Sequence, residues 1–159
     1  MSNATGTLKI WQRFAGAPGG KWAFSKLVCM KAPYFSMIQP LFEEIKPGYC
    51  TARRPKRRAV LNHLGTVHAI AMCNMAELSG GTMTEVTVPS THRWIPKGMV
   101  VEYLQKASTD LVAVATPVDT NDWSVAGEYK VKVEVRDVKD VLVFRALITM
   151  WVSPKKVAR

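Results

Sequence analysis

A chain of 159 residues, 48% hydrophobic and 21% charged, has the make-up of a single folded domain with a sizeable core, which excludes a disordered or fibrous chain. Its formal net charge of +10 predicts an anionic partner. Three cysteines (Cys29, Cys50, Cys73) are an odd number with no C-x-x-C pair and no Cys/His cluster, so neither a disulfide framework nor a structural zinc site is expected. Reduced packing thiols, the absence of an apolar run near the roughly 18 residues of a membrane span, and the absence of a secretory leader pattern together predict a cytoplasmic protein with no membrane span.

The chain to about Pro47 reads as helical and apolar. Trp11, Phe14, Trp22, Phe24, Leu27 and Val28 precede a break at Lys31-Ala32-Pro33. Tyr34, Phe35, Met37, Ile38, Leu41, Phe42 and Ile45 then recur at three- and four-residue spacings, with Pro40 starting or kinking a helix. Pro47-Gly48 is a turn signal, and residues 49–54 read as a short strand. The basic run Arg53, Arg54, Lys56, Arg57 and Arg58 follows.

A helix is expected from just after Thr66 to a stop at Gly80-Gly81. It is apolar or small almost all round (Val67, Ala69, Ile70, Ala71, Met72, Cys73, Met75, Ala76, Leu78), the pattern of a helix buried on every side. Its single charge is Glu77. Burying an unpaired carboxylate is costly or forces it to take up a proton, so Glu77 demands a role. Met72 and Met75 read as core or subunit interface.

Everything beyond reads as strand: 83–88, 100–106, 111–118, then 129–136, where Val131, Val133 and Val135 alternate with Lys130, Lys132, Glu134 and Arg136. Residues 137–140 form a turn, and 141–152 a long apolar strand expected to be buried on both faces. Strands segregated from helices define an α+β class. The expected architecture is one domain over 1–159: a helical extension (1–44), a core (45–152) with an antiparallel sheet wrapped around one long central apolar helix, and a tail (153–159).

The run Asn62-His63-Leu64-Gly65-Thr66-Val67-His68-Ala69-Ile70, followed nine positions after His68 by Glu77, resembles the signature of the PaaI-type hotdog-fold acyl-CoA thioesterases. The N-terminal part, including Ala32-Pro33-Tyr34, looks more like a little-characterised branch of that superfamily known mainly as a domain of unknown function, and the resemblance is specific over about residues 45–152 and loose before that. The His-Gly-Gly of the signature is His68-Ala69-Ile70 here. Where some relatives carry a serine on the strand after the helix, this chain has Pro96.

The resemblance implies a hotdog fold, a homodimer able to pair into a dimer of dimers, and two sites at the interface with no cofactor and no metal. Glu77 would be the base or nucleophile and the Ala69 amide at the helix N-terminus the oxyanion donor. Asn62 would orient water or carbonyl, and Gly65 and His68 would shape the turn. Nine residues of helix place His68 and Glu77 on opposite sides, so a dyad requires a second chain. Arg53, Arg54, Lys56, Arg57 and Arg58 are candidates for the phosphates of coenzyme A, with Lys97 a weaker one. Two other readings share this fold: a non-catalytic acyl-CoA binder, favoured by Ala69 in place of glycine, and a hydroxyacyl-thioester dehydratase, whose motifs differ. No motif for specific nucleic-acid binding accompanies the basic run.

Overall fold

The alternation along β5 (Gly127–Asp137) sets the frame: Tyr129, Val131, Val133 and Val135 are buried, while the charged residues between them face outward. The computed structural model describes residues 5–156. In it β5 is an inner strand of a six-stranded sheet with β1 (Leu41–Lys46), β2 (Tyr49–Arg54), β3 (His92–Tyr103), β4 (Leu111–Pro117) and β6 (Leu142–Pro154). The strands lie in the order β1-β2-β4-β5-β6-β3, every pair antiparallel.

The helix α3 (Ala69–Thr87) crosses the dry face of this sheet and touches all six strands. Met72, Met75, Ala76, Ser79, Met83 and Val86 point into the sheet at three- and four-residue intervals. Small residues on the facing strands, Ala52, Ala113 and Ala115, let the helix come close. Gly80 marks the tightest approach: a Cβ there would lie 2.8 Å from Ile148 Cδ1, with Val131 and Val133 just behind. Burying each large apolar side chain of this layer contributes roughly 1.5–3 kcal/mol.

Two helices precede the sheet, α1 (Gly6–Ala15) and α2 (Gly20–Lys31), followed by a 3₁₀ turn at Pro33–Ile38. Thr5 caps α1 by accepting the Leu8 amide. Trp11, Phe24 and Phe42 meet edge to face at centroid distances of 5.1 and 5.6 Å, tying α1 to α2 and α2 to β1. Ser25 completes the tie, its hydroxyl accepting the Phe42 amide at 3.0 Å. No helix of the described residues is long and apolar enough to cross a membrane.

Several expectations are corrected. Leu41–Lys46 is a strand, not the end of a helix, so the sheet begins inside the expected 1–44 extension. A register shift between Phe42 and Glu44 leaves Phe42 and Ile45 both buried three residues apart, which mimics a helical period. The central helix does not stop at Gly80-Gly81 but runs to Thr87, and 83–88 is its last turns, not a strand. There packing overrides β-propensity: Met83 and Thr84 are buried, and Thr84 Oγ1 returns a hydrogen bond to the Gly80 carbonyl. β3 begins at His92, well before residue 100. β6 is buried on one face only, since Leu147 and Trp151 look outward. It continues to Pro154, into the expected tail, whose residues 157–159 lie outside the described residues, as do 1–4 of the expected extension.

Candidate active site

The loop before α3 is built by Asn62. Its side-chain oxygen accepts the Leu64 amide at 2.9 Å and the Thr66 amide at 3.2 Å, and its Nδ2 donates to Thr66 Oγ1 at 2.9 Å. Gly65 sits at φ +73°, a left-handed conformation that glycine adopts at no steric cost. The loop is held down by Val67, whose amide donates to the Ala107 carbonyl, and by His68, whose amide donates to the Val60 carbonyl.

His68 is the N-cap of α3, and its Nδ1 accepts the Ile70 amide at 3.1 Å. The amides of Ala71 and Met72 reach the His68 carbonyl. That leaves the Ala69 amide, at the first helical position, with no acceptor recorded among the described residues, at the positive end of a 19-residue helix. The imidazole and Asn62 thus shape the turn that presents this donor.

Glu77 is exposed in the single chain, which corrects the expectation of a helix buried on every side. The sheet leaves one stripe of α3 uncovered, with Ile70 and Glu77 exposed and Cys73 and Gly81 half-buried. Glu77 opens into a groove of about 410 Å³ between α3, the N-terminal helices and β3. His68 opens into a different cavity of about 300 Å³, lined by Tyr34, Met37 and Ala59 among others. One chain does not bring the two together.

The basic run divides. Arg54 is fully buried, and its three guanidinium nitrogens have no hydrogen-bond partner among the described residues. Burial, and secondarily Arg57, lowers its pKa to about 10, against a small opposing effect of Asp110. Arg53 pairs with Glu43 at 2.9 Å, and Arg57 donates to the Met37 carbonyl. Lys56 and Arg58 are exposed. Lys97 pairs with Glu128 at 2.7 Å, and Pro96 lines the Glu77 groove. Among the described residues, no three His, Cys, Asp or Glu side chains converge as metal ligands would.

Two residues of this region escape a reading of the motif alone. Glu85 stands eight positions after Glu77, on the same side of α3, and its Oε2 accepts the Trp94 indole N–H at 2.8 Å. The spacing was the available signal; the partner was not, because Trp94 reaches it from the first residues of β3, which begins at His92, ahead of the strand expected at 100–106.

A curled antiparallel sheet around one central helix is a hotdog fold, and known structures agree. A thioesterase from Haemophilus influenzae superposes with a TM-score of 0.73 at 13% identity, covering 84% of this chain and 90% of that one. A thioesterase-family protein from Silicibacter pomeroyi gives 0.71 at 12% identity, over 84% and 99%. At such identities the likeness is one of fold. A structural-genomics protein whose name states no function is 48% identical, with a TM-score of 0.82 over 92% of this chain and 97% of that one. No curated protein sequence matches. The family model described as domain of unknown function (DUF4442) matches residues 20–152, and the chain belongs to that family.

Proposed function

We propose that this protein hydrolyses acyl-CoA thioesters at a site shared between two copies of the chain. The observation that carries the reading is the position of Glu77, an exposed carboxylate on the one stripe of α3 that the sheet leaves bare. Beside that stripe runs β3, an edge strand of 12 residues bonded to β6 on one side only. Ile95, Val100 and Tyr103 on it are exposed. A long apolar edge strand is a template for pairing with another chain. Two copies joined along β3 would cover both bare stripes and bring Glu77 of each toward the helix start of the other.

In such a site the Ala69 amide would donate to the thioester carbonyl oxygen as negative charge develops on it, an interaction commonly worth roughly 3–4 kcal/mol. Glu77, desolvated by the partner, would act as base on water or attack the thioester carbon itself. The thiolate of coenzyme A leaves when the tetrahedral intermediate collapses, and where Glu77 is the nucleophile, water then cleaves the acyl–Glu77 anhydride to release the acid and restore the carboxylate. Asn62 and His68 would act as positioning residues, since their recorded hydrogen bonds stay within the loop and cap. For the phosphates of coenzyme A, Lys56 and Arg58 are the favoured contacts, being the exposed cations of the run that, unlike Arg53, form no ion pair among the described residues. Ile95, Val100, Leu147 and Trp151 form an apolar patch on the outer face, where dimers would pair in turn.

A non-catalytic acyl-CoA binder is the second reading, favoured by Ala69 where the signature has glycine. Thiol release from short, medium, long and aromatic acyl-CoAs, native against Glu77→Gln, separates the two. Hydrolysis of at least one thioester with a loss of about a hundredfold in the variant supports the enzyme. No hydrolysis, with acyl-CoA still raising the melting temperature, supports the binder.

A further inference from the structure

We infer that the indole of Trp94, held by Glu85, is the end wall of an acyl-chain groove and sets the longest acyl group the protein accepts. This deepens the thioester reading above and rests on it.

The groove begins at Glu77 and runs along α3 toward Glu85, eight residues or about 12 Å further on. Its sides are apolar, with Val28 of α2 and Phe35 of the 3₁₀ turn facing Leu78 of α3 and Met150 of β6. The N-terminal helices therefore supply one wall, and an acyl chain whose carbonyl lies near Glu77 has an apolar path of defined length.

The path stops at Trp94. Beyond it lies a second cavity of about 370 Å³, lined by Val88, Pro89, Arg93 and Lys155 among others. Glu85 and Trp94 are the two residues that border both spaces. Three restraints hold this partition. The indole N–H donates to Glu85 Oε2 at 2.8 Å. The other carboxylate oxygen accepts the Thr7 hydroxyl at 3.4 Å, tying the wall to α1. On the helix side there is no slack, since a Cβ on Gly81 would lie 3.2 Å from Trp94 Cη2. A ring pinned by a charge-assisted hydrogen bond, with its Cη2–Cζ3 edge close to α3 at Gly81, does not swing aside freely. Trp94 is thus placed as a specificity-determining residue and Glu85 as the residue that positions it.

The test is the profile of kcat/KM against acyl-chain length for the native protein, Trp94→Ala, Trp94→Phe and Gly81→Ala. Circular dichroism verifies that each variant is folded. In the native protein kcat/KM should fall steeply once the chain exceeds the groove. Trp94→Ala should join the two spaces and raise the ratio of long-chain to short-chain kcat/KM at least tenfold. Trp94→Phe keeps most of the wall and should leave the cut-off within about one methylene pair. Gly81→Ala, which suits a helix and presses on the ring, should move the cut-off to shorter chains, and it tests the wall even if Trp94→Ala does not fold. A ratio unchanged in the folded variants, in a protein that hydrolyses acyl-CoA, overturns the inference and leaves the thioesterase reading intact. A native protein that neither hydrolyses nor binds any acyl-CoA overturns both.

Discussion

Cys73 Sγ and Tyr103 Oη stand 3.3 Å apart, which sets the bare stripe of α3 against the far end of the free edge strand β3. This contact, with burial adding a little, raises the Tyr103 pKa. Helix stripe and sheet edge thus form one continuous surface, and a second copy that pairs with the edge also meets the stripe.

If that surface is the dimer interface, lysines placed on it should block association. Met99, 36% exposed on β3 and paired with buried Ile148, stands on the α3 side of the sheet where the stripe lies, and is the best position. Met99→Lys should shift the protein from dimer to monomer in sedimentation velocity and abolish thiol release while circular dichroism stays native. An active native monomer at all concentrations would refute the shared site.

The Ala69 amide can be deleted without disturbing the helix. Ala69 is the first helical residue, where proline is well tolerated, and His68 at φ −62° and ψ 138° already has the extended backbone that a following proline requires. Ala69→Pro should therefore keep the melting temperature within about 3 °C and lower kcat by roughly 10²–10³-fold. Mixed with Glu77→Gln subunits, it should recover about a quarter of native activity, because half the dimers then carry one intact site. Recovery absent under subunit exchange would place both residues in one chain's site or in none.

Gly80 is fixed by packing. In Gly80→Val the branched side chain would meet Ile148, Val131 and Val133 in a core without room. The expected loss is about 1–3 kcal/mol in urea unfolding. A neutral result would mean that α3 can lift off the sheet at little cost.

Arg54 carries a buried charge with no hydrogen-bond partner among the described residues, and its stability effect has a definite sign. Because burial lowers its pKa to about 10, the unfolded chain holds the proton more tightly than the folded one. The charge therefore costs stability at every pH below about 10, and the cost is relieved only as pH rises above that value. Arg54→Met should raise stability at pH 7 by on the order of 1 kcal/mol or more. A fall in melting temperature instead would show that the guanidinium holds a partner the single chain lacks.

The sheet's inner strands were legible because their burial is local: Val131, Val133 and Val135 report one dry face through a period of two. The loop was legible for the same reason, since Asn62 and His68 accept amides within four residues and Gly65 supplies its own left-handed φ. Leu41–Lys46 was misread because its bulge produces a false three-residue period, and the end of α3 because Gly80 is kept for a contact with Ile148, 68 positions away.

The sequence by itself determined the α+β class and the turn ahead of the central helix, whose start it placed two residues early, because hydrophobic period and turn chemistry are set by near neighbours. Only the tertiary structure decided that Glu77 is exposed, that Arg54 is buried, and that Trp94 meets Glu85 where two cavities adjoin. Those outcomes depend on how strands far apart in the chain close around α3, and a side chain's neighbours across a sheet leave no trace in the spacing of its own segment.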